Sequence, residues 1–240
     1  EITVSPKEEV IITKPCFPMF NVYVELFDAT PREIGYRPDL SFDFESMLNA
    51  ISEKTSLIIM ANPNSPIGNY VSIENIEKLI AEANKYGIPV LIDEAYYEYA
   101  GNSSIQLIDK YENLAISRTF SKALGGAGIR IGYVLGNKVL IRLLAKSRMM
   151  YEVNQVGVKF AEHILQNYDE VSNYVEQTKK EKTILENKVV NMGFAVISSN
   201  CNWIHLHGGN SHSKIIEILE NSRVLFKNAN IPHDERDWIR

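Results

Sequence analysis

Apolar residues along this chain alternate between two rhythms. Short unbroken runs occur at Val10-Ile11-Ile12, Leu57-Ile58-Ile59-Met60-Ala61, Pro89-Val90-Leu91-Ile92, Leu114-Ala115-Ile116 and Ile131-Gly132-Tyr133-Val134-Leu135. Such runs suit strands buried on both faces. Between them the apolar positions recur at helical spacing. Phe20, Tyr23, Val24 and Phe27 form one face over residues 19–27, with Pro18 suited to an early helical position. Phe44, Met47, Leu48 and Ile51 follow Asp43 as a cap, and Ile73, Ile76, Leu79, Ile80 and Ala83 follow Ser72, with Gly87 closing that helix. Residues 30–34 read as a further extended segment. Strand, helix and strand in repetition predict an α/β fold of βαβ units around a mostly parallel sheet flanked by helices.

Beyond Leu135 the rhythm changes. A short helix is expected over residues 138–146, then a long helical tract with breaks over 155–192, ending at Gly193. Strands are expected at 194–197, 203–206 and 224–226, with a helix at 212–221. These elements predict a smaller, partly antiparallel sheet. The division that follows is a large unit over residues 1–165 and a smaller α/β unit over 166–240, bridged by the long helix. The chain opens just before one strand signal and stops inside another at 237–240, so a longer protein is expected at each end.

Composition narrows the classes. With 240 residues, 45% of them hydrophobic, the chain can bury one large core or two smaller ones. A formal charge of -5 without a basic stripe argues against nucleic acid as the main partner. No apolar run reaches membrane-spanning length, and the cytoplasm is the expected setting. Cys16 and Cys201, the two cysteines, lack CxxC spacing, so neither a disulfide framework nor a zinc site is indicated. His205 and His207 alternate along a strand with no third ligand in view. Gly126-Ala127-Gly128 lacks the third glycine and the downstream acid of a dinucleotide loop. Lys179, Lys180 and Lys182 suit a solvated helix face.

The chemistry gathers at the ends of the buried runs. Lys122 lies on a small-residue loop between two of them, Ser117-Arg118-Thr119-Phe120-Ser121-Lys122-Ala123-Leu124-Gly125-Gly126, with Arg130 eight residues on. Burial there, and the neighbouring cation, would favour the neutral, nucleophilic amine. Thr119, Ser121 and Arg130 together suit a phosphate: two hydroxyls and a bidentate guanidinium. Asp93 ends a buried strand, where a carboxylate needs a cation, and Tyr96 follows three residues later. Phe17, after the first strand, offers an aromatic face, although it also suits a core position. An amine, a carboxylate, a phenol, a flat face and a phosphate cup are the parts that hold pyridoxal phosphate.

On these motifs the chain resembles the fold-type-I pyridoxal-phosphate-dependent aminotransferases of class I and II, and among them the histidinol-phosphate aminotransferases. The matching stretches are Pro15-Cys16-Phe17-Pro18-Met19-Phe20, Asn62-Pro63-Asn64-Ser65-Pro66-Ile67-Gly68, Asp93-Glu94-Ala95-Tyr96 and residues 117–132, with Asn202-Trp203-Ile204 and Trp238-Ile239-Arg240 also in place. The resemblance implies roles. Lys122 would form the Schiff base and then move a proton, Asp93 would keep the ring nitrogen protonated, and Tyr96 would bond the ring oxygen. Phe17 would stack; Thr119, Ser121 and Arg130 would bind the phosphate; Arg240 would hold the substrate α-carboxylate. It implies an aminotransferase acting on an amino acid, or an amino-acid-derived phosphate, and a 2-oxo acid, and a homodimer. An amino-acid phosphate decarboxylase and a binding module without turnover are the alternatives on the same scaffold. The chain departs from the family in three places. Ser65 replaces the asparagine that bonds the ring oxygen, for which Asn64 is the alternative donor. Ile67 replaces a threonine, and Lys227-Asn228 stands where an arginine pair grips a substrate phosphate. The glycine-rich helix start that completes the family's phosphate site is expected upstream of Glu1.

Overall fold

Ile11, Ile58, Ile92 and Ile116 are completely buried and sit side by side: Ile11 pairs with Ile58, and Ile92 with Ile116. They are the spine of a six-stranded sheet in a computed structural model that describes residues 3–240. Along the chain run β1 (Glu9–Thr13), α1 (Pro18–Leu26), β2 (Thr30–Ile34), α2 (Phe44–Ala50), β3 (Thr55–Ala61), α3 (Ile73–Asn84), β4 (Val90–Asp93), α4 (Tyr97–Ala100), β5 (Leu114–Thr119) and β6 (Gly132–Gly136). Spatial order is β2-β1-β3-β4-β5-β6, parallel throughout except for β6, which returns antiparallel along β5.

Alternation along the strands sends residues to two cores. Ile11, Ile58 and Met60 pack with Met47 of α2 and with Ile76, Leu79 and Ile80 of α3. Val10, Ile12, Ile59 and Ala61 pack with Phe20 and Val24 of α1. Ile76, Leu79 and Ile80 of α3 are fully buried, each contributing about 1.5–3 kcal/mol against exposure. Asp43 and Ser72 cap α2 and α3 as their sequence positions suggest, accepting hydrogen bonds from the Ser46 and Asn75 amides.

Next come α5 (Lys138–Leu144), α6 (Gln155–Gln166), α7 (Tyr168–Asn191), β7 (Ala195–Ile197), β8 (His205–His207), α8 (His212–Asn221), β9 (Asn228–Ile231) and β10 (Asp234–Ile239). The long helical tract is two helices, parted at Asn167. The second sheet, β7-β8-β10-β9, is antiparallel at every pairing rather than partly so. Two further expectations are corrected. The strand expected at 203–206 is β8, displaced towards His207, and the one expected at 224–226 is irregular. There Leu225 is 98% exposed, and the ladder to β10 begins only at Lys227, whose amide and carbonyl both pair with Arg240. High β-propensity without a cross-strand partner makes no strand. The second sheet rests on the first unit through Ile231 and Trp238, which join the main core. It is also tied through the Gly68 carbonyl, which accepts from the Asn200 amide at 2.8 Å.

Candidate active site

The carboxyl ends of β1, β3, β4 and β5 lie along one edge of the sheet, the usual place for a ligand in an open α/β fold. After β1 the chain turns at Pro15 and Cys16 and presents Phe17 as the N-cap of α1. Phe17 is 43% exposed and meets Phe20 edge-on at 5.7 Å, so it is an open aromatic face and not a core residue. After β3 the turn at residues 62–69 is held by its asparagines. Asn62 donates to the Val71 carbonyl (2.9 Å) and accepts from the Val71 amide (2.8 Å). Asn64, almost fully buried, donates to the Pro15 carbonyl (3.2 Å) and accepts from the Ile67 amide (3.2 Å). The amide nitrogen of Asn64, which also donates to Thr13 Oγ1 at 3.4 Å, joins this turn to the end of β1 while its oxygen closes the turn itself, which removes it as a substitute donor. Ser65 is half-buried, and its hydroxyl makes no hydrogen bond among the described residues.

Asp93 ends β4. Its Oδ1 accepts from the Ser117 hydroxyl at 3.1 Å and from the Ala95 amide at 3.2 Å; Oδ2 has no partner among the described residues. Burial pushes the carboxyl pKa upward, against the hydrogen bonds from Ser117 and Ala95 and the charge of Lys122. Ser117 faces Asp93 across the β4–β5 ladder. A hydroxyl in direct register with the strand-end carboxylate was the missed signal for that role.

The loop after β5 carries the remaining chemistry. Thr119 Oγ1 accepts from the Ser121 amide at 3.0 Å, and Arg130 donates to Ser121 Oγ at 3.4 Å and to the Ala127 carbonyl at 2.9 Å. The predicted trio is thus brought together. Arg130 takes a left-handed backbone conformation (φ 60°), which costs a non-glycine residue energy and tends to mark functional turns. Phe120, Ala123 and Leu124 anchor this loop against Val171 and Val175 of α7. Gly126 leaves no room for a side chain, because a Cβ would lie 2.8 Å from Phe160. Lys122 itself corrects an expectation: its side chain is exposed, not desolvated. Its neighbours in the loop carry the burial, and Lys122 points off the anchored backbone towards the site.

There four residues from distant parts of the chain fall into line. Lys122 Nζ lies 5.0 Å from the centroid of the Tyr96 ring. Tyr96 meets Trp203 edge-to-face at 4.7 Å, and the Arg240 guanidinium lies 4.8 Å from the Trp203 centroid. Behind them a buried ion pair went unnoticed in the sequence: Arg118 donates to Glu94 Oε2 from Nε (3.1 Å) and Nη2 (2.9 Å).

These residues fit pyridoxal phosphate. One oxygen of Asp93 is fixed and the other is left for a ring N–H⁺, the kind of cation that offsets its burial. An open aromatic face, a phenol, a connected hydroxyl–guanidinium cup and a primary amine surround it. Among the described residues no cluster of three or more His, Cys, Asp or Glu is arranged for a metal ion.

Comparison with known proteins places the chain in a family. The family described as aminotransferase class I and II matches residues 2–240. Histidinol-phosphate aminotransferase 1 of Carboxydothermus hydrogenoformans is 33% identical over 214 residues, covering 89% of this chain and 60% of that protein. Histidinol-phosphate aminotransferase of Christiangramia forsetii is 31% identical over 229 residues, covering 94% and 65%. The chain therefore spans 60–65% of the length of these curated relatives. Two solved structures share the fold. Histidinol-phosphate aminotransferase of Sinorhizobium meliloti in complex with pyridoxal-5'-phosphate has a TM-score of 0.83 at 24% identity, covering 98% of this chain and 66% of that one. The enzyme of Clostridium acetobutylicum has a TM-score of 0.81 at 23% identity, covering 99% and 73%. With the family match running almost end to end, the chain belongs to the class I and II aminotransferases.

Proposed function

We propose that this protein is a pyridoxal-phosphate-dependent aminotransferase that moves an amino group from an amino acid to a 2-oxo acid. The observation that carries the reading is the half-satisfied Asp93, which feels the charge of Lys122, the lysine whose Nζ lies 5.0 Å from the centroid of the Tyr96 ring. When bound, the cofactor supplies an aldehyde that condenses with amines and a protonated ring that takes up electron density from the substrate Cα. The chain's own residues do the rest. Asp93 Oδ2 would accept the ring N–H and keep that proton in place. Tyr96 and Ser65 would bond the ring oxygen, Ser65 with a shorter reach than the asparagine it replaces. Phe17 would cover one face of the ring, and Thr119, Ser121 and Arg130 would hold the phosphate. Lys122 would supply the amine that meets the cofactor's aldehyde and would carry a proton from the substrate Cα as general base. Arg240 pairs with the donor's α-carboxylate and is kept in place by Trp203.

The substrate class follows from the residue opposite Arg240. Lys227 and Arg240 exchange both backbone hydrogen bonds, at 2.7 and 2.9 Å. Directly paired residues of an antiparallel ladder project to the same face, so a second cation stands beside the carboxylate clamp. Donors with a second anionic group, a carboxylate or a phosphate, fit that face. A lysine serves either as a point charge, without the arginine's planar fork. Met149, Met150, Tyr151 and Val156 are 74–90% exposed, an apolar patch that supports a homodimer, and the two free thiols, Cys16 and Cys201, suit the cytoplasm.

The test uses the full-length protein with pyridoxal phosphate and a panel of amino acids. The expected result is uptake of the cofactor with visible absorbance, its bleaching by an anionic amino donor without carbon dioxide release, and loss of both in Lys122→Ala. Released carbon dioxide with the absorbance restored would identify a decarboxylase. Lys122→Ala indistinguishable from the parent would leave a binding module.

A further inference from the structure

We propose that the buried Glu94–Arg118 ion pair is a positioning clamp that sets the spacing of the cofactor-holding residues from behind the sheet. The proposal rests on the pyridoxal-phosphate reading above. The pair is enclosed, with side-chain exposures of 2% for Glu94 and 9% for Arg118. Its carboxylate is engaged at both oxygens. Glu94 Oε1 accepts the Ser104 amide at 2.6 Å, and Oε2 accepts the Ser103 hydroxyl at 2.8 Å together with both Arg118 nitrogens. Arg118 Nη2 also donates to Ser103 Oγ at 2.6 Å, and its guanidinium lies 3.8 Å from the centroid of the Tyr97 ring.

What matters is where these two residues stand. Glu94 lies between Asp93 and Tyr96, and Arg118 lies between Ser117, which holds Asp93, and Thr119 of the phosphate cup. Successive residues of a strand point to opposite faces. Ser117 and Thr119 therefore face the ligand while Arg118 faces away, and Asp93 and Glu94 divide in the same manner. The clamp joins the ends of β4 and β5 on the far side of the backbone from the ligand. It draws in the 103–104 loop and, through Tyr97, the start of α4 that follows Tyr96. A buried pair is a poor way to gain stability, since an apolar pair of the same volume serves as well or better. A bidentate fork stacked on an aromatic ring does fix geometry, because few orientations satisfy it. The distance from the ring-nitrogen acceptor to the phosphate cup is the dimension that a rigid cofactor needs held.

The test measures pyridoxal phosphate affinity by titration, together with the visible circular dichroism of the bound cofactor at saturation, which reports the ring's surroundings. Glu94→Gln keeps the shape and removes the charge; Arg118→Lys keeps the charge and removes the fork. Both are expected to bind the cofactor on the order of tenfold more weakly, as supporting residues behind a site usually do, and to show an altered dichroism band once saturated. Ile80→Val in the α3 core is the control. It should lower the unfolding temperature while leaving affinity and dichroism as in the parent. If Arg118→Lys fails to fold, the near-isosteric Glu94→Gln carries the test. Parental affinity and dichroism in the clamp variants, or the same losses in Ile80→Val, would overturn the clamp alone. A parent that takes up no pyridoxal phosphate would overturn the reading beneath it, and the clamp with it.

Discussion

Trp203 is the residue on which the proposed substrate site can be tested most directly, because its indole connects Tyr96 to Arg240. Its contact with Tyr96, at 4.7 Å and 84°, has the geometry of an edge-to-face pair, worth about 0.5–1.5 kcal/mol beyond burial. Arg240 over the same indole, at 4.8 Å, is a half-buried cation–π contact worth about 1–2 kcal/mol. Trp203→Leu keeps apolar bulk and removes both aromatic terms. Arg240 then has to be ordered by the substrate itself, and losing about 1–2 kcal/mol of preorganisation corresponds to roughly a 5- to 30-fold higher KM for the amino donor. Trp203→Phe keeps a ring for both neighbours and should stay within about threefold. The assay is steady-state transamination at saturating 2-oxo acid, with the apoprotein's unfolding temperature measured alongside. A Trp203→Leu enzyme with parental KM would refute the link between Trp203 and Arg240. So would one in which Trp203→Phe is as impaired as Trp203→Leu.

Three further outcomes follow from the same contacts. Asp93→Asn should stabilise the cofactor-free protein at neutral pH and weaken pyridoxal phosphate binding. Burial raises the folded-state pKa of Asp93 above its ordinary value of 3.8, so its stabilising influence is present below that value and lost as pH rises through the folded pKa. Urea midpoints with and without cofactor should move in opposite directions. His205 is fully buried, and burial, with the Arg240 charge second, lowers its pKa from 6.5 to about 4. The unfolded chain takes that proton first, so stability is complete above pH 6.5 and falls towards pH 4 by up to roughly 3 kcal/mol. His205→Gln should flatten this acid limb in urea melts of the apoprotein. Gly68→Ala should destabilise by about 1–3 kcal/mol or more, since Gly68 sits at φ 89° with a would-be Cβ only 2.2 Å from Ser199 Cβ. An unchanged thermal midpoint would show that the second sheet is not held by this turn.

Residues whose role is set by near neighbours in the chain were readable before the structure. Ile58 and Ile92 declare buried strands because their neighbours are apolar too, and Thr119, Ser121 and Arg130 share one loop. Lys122 shows where such reading fails. Loop position alone suggested a desolvated amine, yet burial depends on which side of the turn is anchored, and Phe120 and Leu124 hold the other side. The strand expected at Val224 fails for a related reason: a β-strand is a property of two segments, and Leu225 has no second one.

What the sequence concealed is long-range pairing, and the site is built from it. Asp93 obtains a fixed oxygen only because β4 and β5 place Ser117 opposite it, 24 residues away. Asn64 looks like a replacement for the family asparagine at Ser65, but the end of β1 already occupies its amide, 49 residues upstream at Pro15. Trp203, just before β8, and Arg240, just after β10, reach Tyr96 at the start of α4. The same sheet edge presents two faces with opposite demands. The ligand side keeps donors and acceptors incompletely paired, as Asp93 Oδ2 is, because a bound group needs them. The reverse side engages both carboxylate oxygens of Glu94 and two of the three nitrogens of Arg118, because rigidity there is what lets the open side stay open. Adjacent residues in the motifs, Asp93 with Glu94 and Arg118 with Thr119, therefore serve the site in opposite ways, and a strand's period of two is enough to separate them.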